Sequence, residues 1–202
     1  MVIADVSGKG VPAALFIMRV KALLNQLLRE DLSPDQVLAR ANDGLCEDNE
    51  AGMFVTVWLG VLDLRSGKLV YANGGHNPPL YRHADGSVEW MRDRSGVLLG
   101  SFEGVPYRVF ERTMIRGDSL ILYTDGVTEA MDASDHCYGD ERLFQLVERE
   151  CDGYPASVSG VIEEDVRAFA EGADQADDIT LLVLRYDGQE NGPAASAAGN
   201  RG

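Results

Sequence analysis

The chain has 202 residues, 45% hydrophobic and 25% charged, which is enough for one domain with a sizeable core. Eighteen Lys and Arg against thirty-three Asp and Glu give a formal net charge of −15, a surface that repels phosphate backbones and anionic lipid and so argues against nucleic-acid and membrane binding. Three cysteines with no close pairing, three histidines without zinc spacing, no apolar run of membrane-spanning length and no signal-peptide pattern point to a reduced, cytoplasmic protein.

In chain order, MVIADV (1–6) reads as the end of a strand, followed by the glycine-bearing turn SGKG (7–10). Pro12 suits a first helical turn, and Leu15, Met18, Ala22, Leu23, Leu27 and Leu28 are expected to form that helix's apolar face. Ser33-Pro34-Asp35-Gln36 opens a second helix with a capping-box pattern, running to about Glu47. MFVTVWLGVLD (53–63) then turns through RSGK into LVYAN (69–73), a hairpin. LYRH (80–83) pairs with VEWM (88–91) across Ala84-Asp85-Gly86-Ser87. YRVFERTMI (107–115) and SLILYTD (119–125) are expected to pair with each other across Arg116-Gly117-Asp118. Helices follow at 139–151 and 157–170, the second with an apolar stripe of Val158, Val161, Ile162, Val166 and Phe169. ITLLVLRY (179–186) is the last strand. The expected fold class is α+β, mostly antiparallel sheet with helices on the outer faces. Residues 1–187 form one domain, and 188–202, almost without large apolar residues, a disordered tail.

Three acidic sites share a grammar in which an apolar strand meets an Asp at a turn. They are Asp5 after Val2-Ile3-Ala4, Asp125 after Leu120 to Thr124, and Asp177-Asp178 immediately before the last strand. Gathered at one sheet edge, such carboxylates would suit a hard divalent cation, which favours oxygen ligands and activates water. A single Asp at such a turn is more often a turn former or cap, and the residues alone leave both readings open. Gly8 and Gly10 read as turn residues, Lys9 as a solvated lysine or a contact for substrate phosphate, His76 as structural, and Glu129 as a local hydrogen-bond partner. An aspartyl-nucleophile phosphohydrolase is disfavoured because Asp5-Val6-Ser7 is not an Asp-x-Asp pair, and GKG lacks the spacing of a nucleotide-binding loop.

DVSGKG (5–10), YANGGHNPPL (71–80), GDSLILYTDGVTEA (117–130) and DDITLLVLR (177–185) resemble, in order and spacing, the signature blocks of SpoIIE-type metal-dependent protein phosphatases, bacterial relatives of protein phosphatase 2C. The resemblance implies two packed antiparallel sheets flanked by helices, an αββα sandwich. It also implies two Mn²⁺ or Mg²⁺ ions and hydrolysis of phosphoserine or phosphothreonine by metal-activated water, without a covalent phosphoenzyme. Transferred by position, Asp5, Asp125 and Asp177 are the catalytic carboxylates, and Asp5, the carbonyl of Val6, Asp125, Asp177 and Asp178 form the metal set, with Asp177 preferred over Asp178 as ligand. The implied substrate is a phosphorylated anti-sigma-factor antagonist. The family's upstream strands, with a GGDxxD-like segment that supplies a further acid, have no counterpart before Asp5, so the domain is expected to be truncated at its N terminus. The alternative reading is a non-catalytic or truncated phosphatase-like module that binds a regulatory partner.

Overall fold

Three apolar layers organise the chain in a computed structural model that describes residues 1–173 and 177–188. The elements are β1 (Val2–Val6), α1 (Val11–Leu27), α2 (Pro34–Cys46), β2 (Val55–Leu62), β3 (Lys68–Gly74), β4 (Leu80–Arg82), β5 (Val88–Trp90), β6 (Phe110–Thr113), β7 (Ser119–Tyr123), α3 (Asp140–Glu150), α4 (Pro155–Phe169) and β8 (Leu181–Arg185). Two four-stranded sheets have the orders β1-β2-β3-β6 and β5-β4-β7-β8, antiparallel throughout. The expected fold class is the one observed. Of the expected tail, 188–202, all but Gly188 lies outside the described residues.

The first layer packs Phe16, Val20 and Leu24 of α1 and Val37, Leu38 and Leu45 of α2 onto Val55, Val57 and Leu59 of β2. Between the sheets lie Ile3, Trp58, Tyr71, Tyr81, Leu120 and Leu122, and the third layer sets Leu143, Val147, Val158 and Ile162 of α3 and α4 on Ile121 and Tyr123. Successive β2 residues point to opposite faces, Val57 and Leu59 to the helices and Trp58 to the other sheet. Both faces are buried, which is why this strand is a continuous apolar run rather than an alternating one. The α2 start is as expected, with the Gln36 side-chain carbonyl accepting the Ser33 N–H at 3.1 Å.

Two expectations are corrected. The buried face of α1 is Phe16, Val20, Leu24 and Leu27, whereas Leu15 and Met18 are 67% and 62% exposed. The helix is apolar nearly all the way round, so more than one stripe fits its period. Second, β6 and β7 do not form a hairpin: β6 pairs with β3 and β7 lies between β4 and β8 in the other sheet. The reason is Asp118, buried in the intervening corner. Its carboxylate accepts the Ile115 N–H at 2.8 Å, the Ala84 N–H at 2.9 Å and the Tyr81 hydroxyl at 2.5 Å, which sends the chain across the sandwich. Cys46, Cys137 and Cys151 are free thiols. No helix among the described residues is long and apolar enough to cross a membrane.

Candidate active site

β1 brings Asp5 to its end, opposite Thr56 in β2. The strand is closed by Ser7, whose N–H donates to the Phe54 carbonyl and whose Oγ accepts the Phe54 N–H, both at 2.9 Å. Gly8 and Gly10 follow with φ of 81° and 79°, a left-handed backbone that other residues resist, and turn the chain directly into α1. Asp125 follows β7 in an equally tight turn, its carbonyl accepting the Glu129 N–H at 2.7 Å and the Thr128 hydroxyl at 3.3 Å.

Thr124, which the sequence reading did not single out, ties this turn to the start of β8. Its N–H donates to the Thr180 carbonyl at 3.1 Å, its Oγ1 accepts the Thr180 N–H at 3.0 Å, and its hydroxyl lies 3.0 Å from the Asp178 carbonyl. The approach is so close that a Cβ on Gly126 would sit 2.4 Å from the Asp178 carbonyl oxygen. The Asp125 turn and the 177–180 segment are thereby held against each other. The acidic positions converge from both sheets, β1 on one side and the β7–β8 end on the other, rather than from one sheet edge.

A cleft of about 660 Å³ is lined by Asp5, Val6, Lys9, Thr124, Asp177 and Asp178. Burial raises the Asp5 carboxyl to about 6, reinforced by the neighbouring Asp125 carboxyl and the charge of Asp177, with the Val6 N–H opposing. Two carboxylates brought this close repel unless a proton or a cation lies between them. The donor chemistry, all hard oxygen, fits Mg²⁺ or Mn²⁺.

The third carboxylate is less committed. Asp177 is exposed, its Oδ1 accepting the Asp178 N–H at 2.8 Å and lying 3.9 Å from Lys9 Nζ. Among the described residues no group of three or more His, Cys, Asp or Glu side chains is close enough to hold a metal ion. The site is thus an assembled pair, Asp5 and Asp125, with Asp177 and Asp178 at its rim. Lys9 is exposed, as expected, with its Nζ 3.9 Å from Asp177, and Glu129 bonds the site through its main chain.

His76 is buried, with Nδ1 at 2.9 Å from Thr56 Oγ1. Burial lowers its imidazole to about 4 against the opposing pull of the Tyr123 carbonyl and the Asp125 carboxylate. Neither Thr56 nor Gly126 was legible as part of the site from the sequence. Their roles come from register and from the apposition of distant loops.

A two-sheet sandwich with helices on both faces and paired strand-end carboxylates defines a protein phosphatase 2C-like architecture. The SiaA PP2C domain of Pseudomonas aeruginosa superposes with a TM-score of 0.81 at 20% identity, covering 92% of this chain and 75% of that one. The catalytic domain of the serine/threonine protein phosphatase PstP, in complex with two manganese ions, gives 0.62 at 16% identity over 90% and 85%. Likeness at these identities establishes the fold. The family model described as stage II sporulation protein E (SpoIIE) matches residues 1–187, and the chain belongs to that family. Phosphoserine phosphatase RsbU of Bacillus subtilis (strain 168) is 28% identical over 183 residues, 91% of this chain and 54% of the relative. The chain spans between a third and just over half of the length of the curated relatives it matches.

Proposed function

We propose that this chain is the catalytic domain of a divalent-metal-dependent phosphoserine/phosphothreonine protein phosphatase. The observation that carries the proposal is the Asp5–Asp125 pair, contributed by different sheets and brought near enough for the Asp125 charge to help hold the Asp5 carboxyl up. The name of the B. subtilis relative and the manganese ions of the PstP domain support it. Mn²⁺ or Mg²⁺, two ions by family resemblance, would supply an acidified water and charge neutralisation at the phosphoryl group.

The chain's own residues do the rest. Asp5 and Asp125 present paired anionic oxygens at fixed strand ends, with the Val6 carbonyl as a further oxygen beside them. Asp177 is within reach of Asp5 electrostatically and can exchange its Lys9 contact for a cation, and Asp178 borders the same cleft. The substrate, again by resemblance, is a phosphorylated anti-sigma-factor antagonist.

The second reading, a non-catalytic or truncated module that binds a regulatory partner, is favoured by one observation, the ion pair that turns Asp177 toward Lys9. The deciding assay is Mn²⁺-dependent phosphate release from a phosphoserine peptide by the purified chain, with Asp125→Asn alongside. Metal-dependent turnover that disappears in the variant is the expected result. A chain that neither binds Mn²⁺ nor turns over would favour the binding module.

A further inference from the structure

His76 belongs to the YANGGHNPPL block, yet the proposed chemistry gives it no part. It lies in the segment between Gly74, the last residue of β3, and Leu80, the first of β4, where the chain passes from one sheet to the other. Its backbone is clamped by buried Asn73, whose Oδ1 accepts the His76 N–H at 2.8 Å and whose Nδ2 donates to the His76 carbonyl at 3.0 Å. Asn73 is fixed in turn, its N–H donating to Ser95 Oγ at 2.7 Å. A ring so firmly oriented at 5% exposure is placed for what its two nitrogens reach.

One nitrogen reaches the Asp5 strand. Nδ1 is 2.9 Å from Thr56 Oγ1, and Thr56 is the direct cross-strand partner of Asp5, its hydroxyl also lying 3.4 Å from the Asp5 carbonyl. The other faces the opposite sheet. Nε2 is buried and makes no hydrogen bond of normal geometry among the described residues; the Tyr123 carbonyl of β7 is the acceptor placed to receive its proton, and the Asp125 carboxylate acts on the ring through its charge. The single hydroxyl proton of Thr56 is best used on Nδ1, the nearer acceptor. The ring proton then sits on Nε2, toward the acceptors of the Asp125 strand. A donor left unmatched inside a protein is unfavourable unless some state of the molecule satisfies it, and the Tyr123 carbonyl and the Asp125 carboxylate are the acceptors that act on this one.

We propose that His76 is a positioning residue that links the Asp5 strand, through Thr56, to the Asp125 strand and so fixes the spacing of the two carboxylates that would hold the cation. The inference rests on the metal-site reading given above. Groups behind metal-bound carboxylates and imidazoles commonly act this way, orienting the ligand by a hydrogen bond to it.

The test is Mn²⁺ binding to the full chain by calorimetry, with the metal-free thermal midpoint recorded for every variant. His76→Leu keeps the bulk and removes both nitrogens; His76→Gln restores a donor near the Nε2 position. The expected result is Mn²⁺ affinity weakened about 10-fold or more in His76→Leu and largely restored in His76→Gln. An affinity in His76→Leu equal to that of the parent chain, whatever its thermal midpoint, overturns the proposal. So does equal weakening in both variants, which would make the ring a space filler. If His76→Leu does not fold, Thr56→Val decides: weaker Mn²⁺ binding supports the link and unchanged binding refutes it. A parent chain that binds no Mn²⁺ refutes the metal-site reading itself, an outcome distinct from any of these.

Discussion

Gly126→Ala isolates the apposition of the Asp125 turn against the 177–180 segment. Gly126 does not have a left-handed φ, so alanine is conformationally acceptable there, and in open space the change would stabilise by about 0.4–1 kcal/mol through the unfolded chain. The space is not open. The new methyl would lie 2.4 Å from the Asp178 carbonyl oxygen and 2.9 Å from its carbonyl carbon, both main-chain atoms that cannot rotate aside. Reaching an ordinary contact distance of about 3.5 Å requires the 177–180 segment to retreat by roughly 1 Å. Overpacking of this kind costs about 1–3 kcal/mol. The retreat also stretches the bonds of Thr124 to Thr180 and Asp178, now 3.0–3.1 Å, at about 1 kcal/mol for each one lost. The net expectation is about 2–4 kcal/mol of destabilisation, or about 5–15 °C in thermal midpoint for a domain of this size. Scanning fluorimetry in EDTA measures it. A midpoint unchanged or raised would show that the β8 entrance is not pinned against Asp125 and would refute the geometry.

Two further tests address other parts of the structure. Phe16→Ala is expected to cost about 3–5 kcal/mol in urea unfolding, while Leu15→Ala, one residue away and 67% exposed, stays within about 0.5 kcal/mol; the reverse order would restore the α1 face expected from sequence. Asp5→Asn should stabilise the metal-free chain at pH 7.5. The folded carboxyl titrates near 6 and the unfolded one near 3.8, so the cost of ionising Asp5 in the fold is fully present above about 6 and gone below 3.8. The advantage of Asn must therefore shrink as pH is lowered through 6, and an advantage that grows on acidification would sink the assignment.

Most of the elements were legible because their signals are local. The RSGK turn, the Ser33–Gln36 cap and the turn between LYRH and VEWM each act within a few residues. The acidic positions were legible for the same reason, each ending or beginning a strand in a recognisable block. What failed was information carried by distant partners. Arg116-Gly117-Asp118 has hairpin-turn chemistry, but the Asp118 side chain is captured by Tyr81 and Ala84, more than thirty residues away. The face of α1 could not be chosen because Leu15, Ile17, Met18 and Leu28 offer competing stripes, and only the Val55–Leu59 surface selects among them. Thr56, Thr124 and Gly126 entered the site through pairings that no short window contains.

The corner at Asp118 also orders events as the chain emerges during synthesis. The first sheet and its helices need nothing beyond Thr113, so that half can gather while later residues are still being added. The second sheet waits for β8, which follows α4, and Asp177 arrives with it. Asp5 is thus made well before the carboxylates that oppose it, which follow both sheets' earlier strands. Pairings across so much sequence are slow to close, and they leave the apolar inner face of the first sheet uncovered until the second arrives. Exposure of this kind is what chaperones recognise in nascent chains.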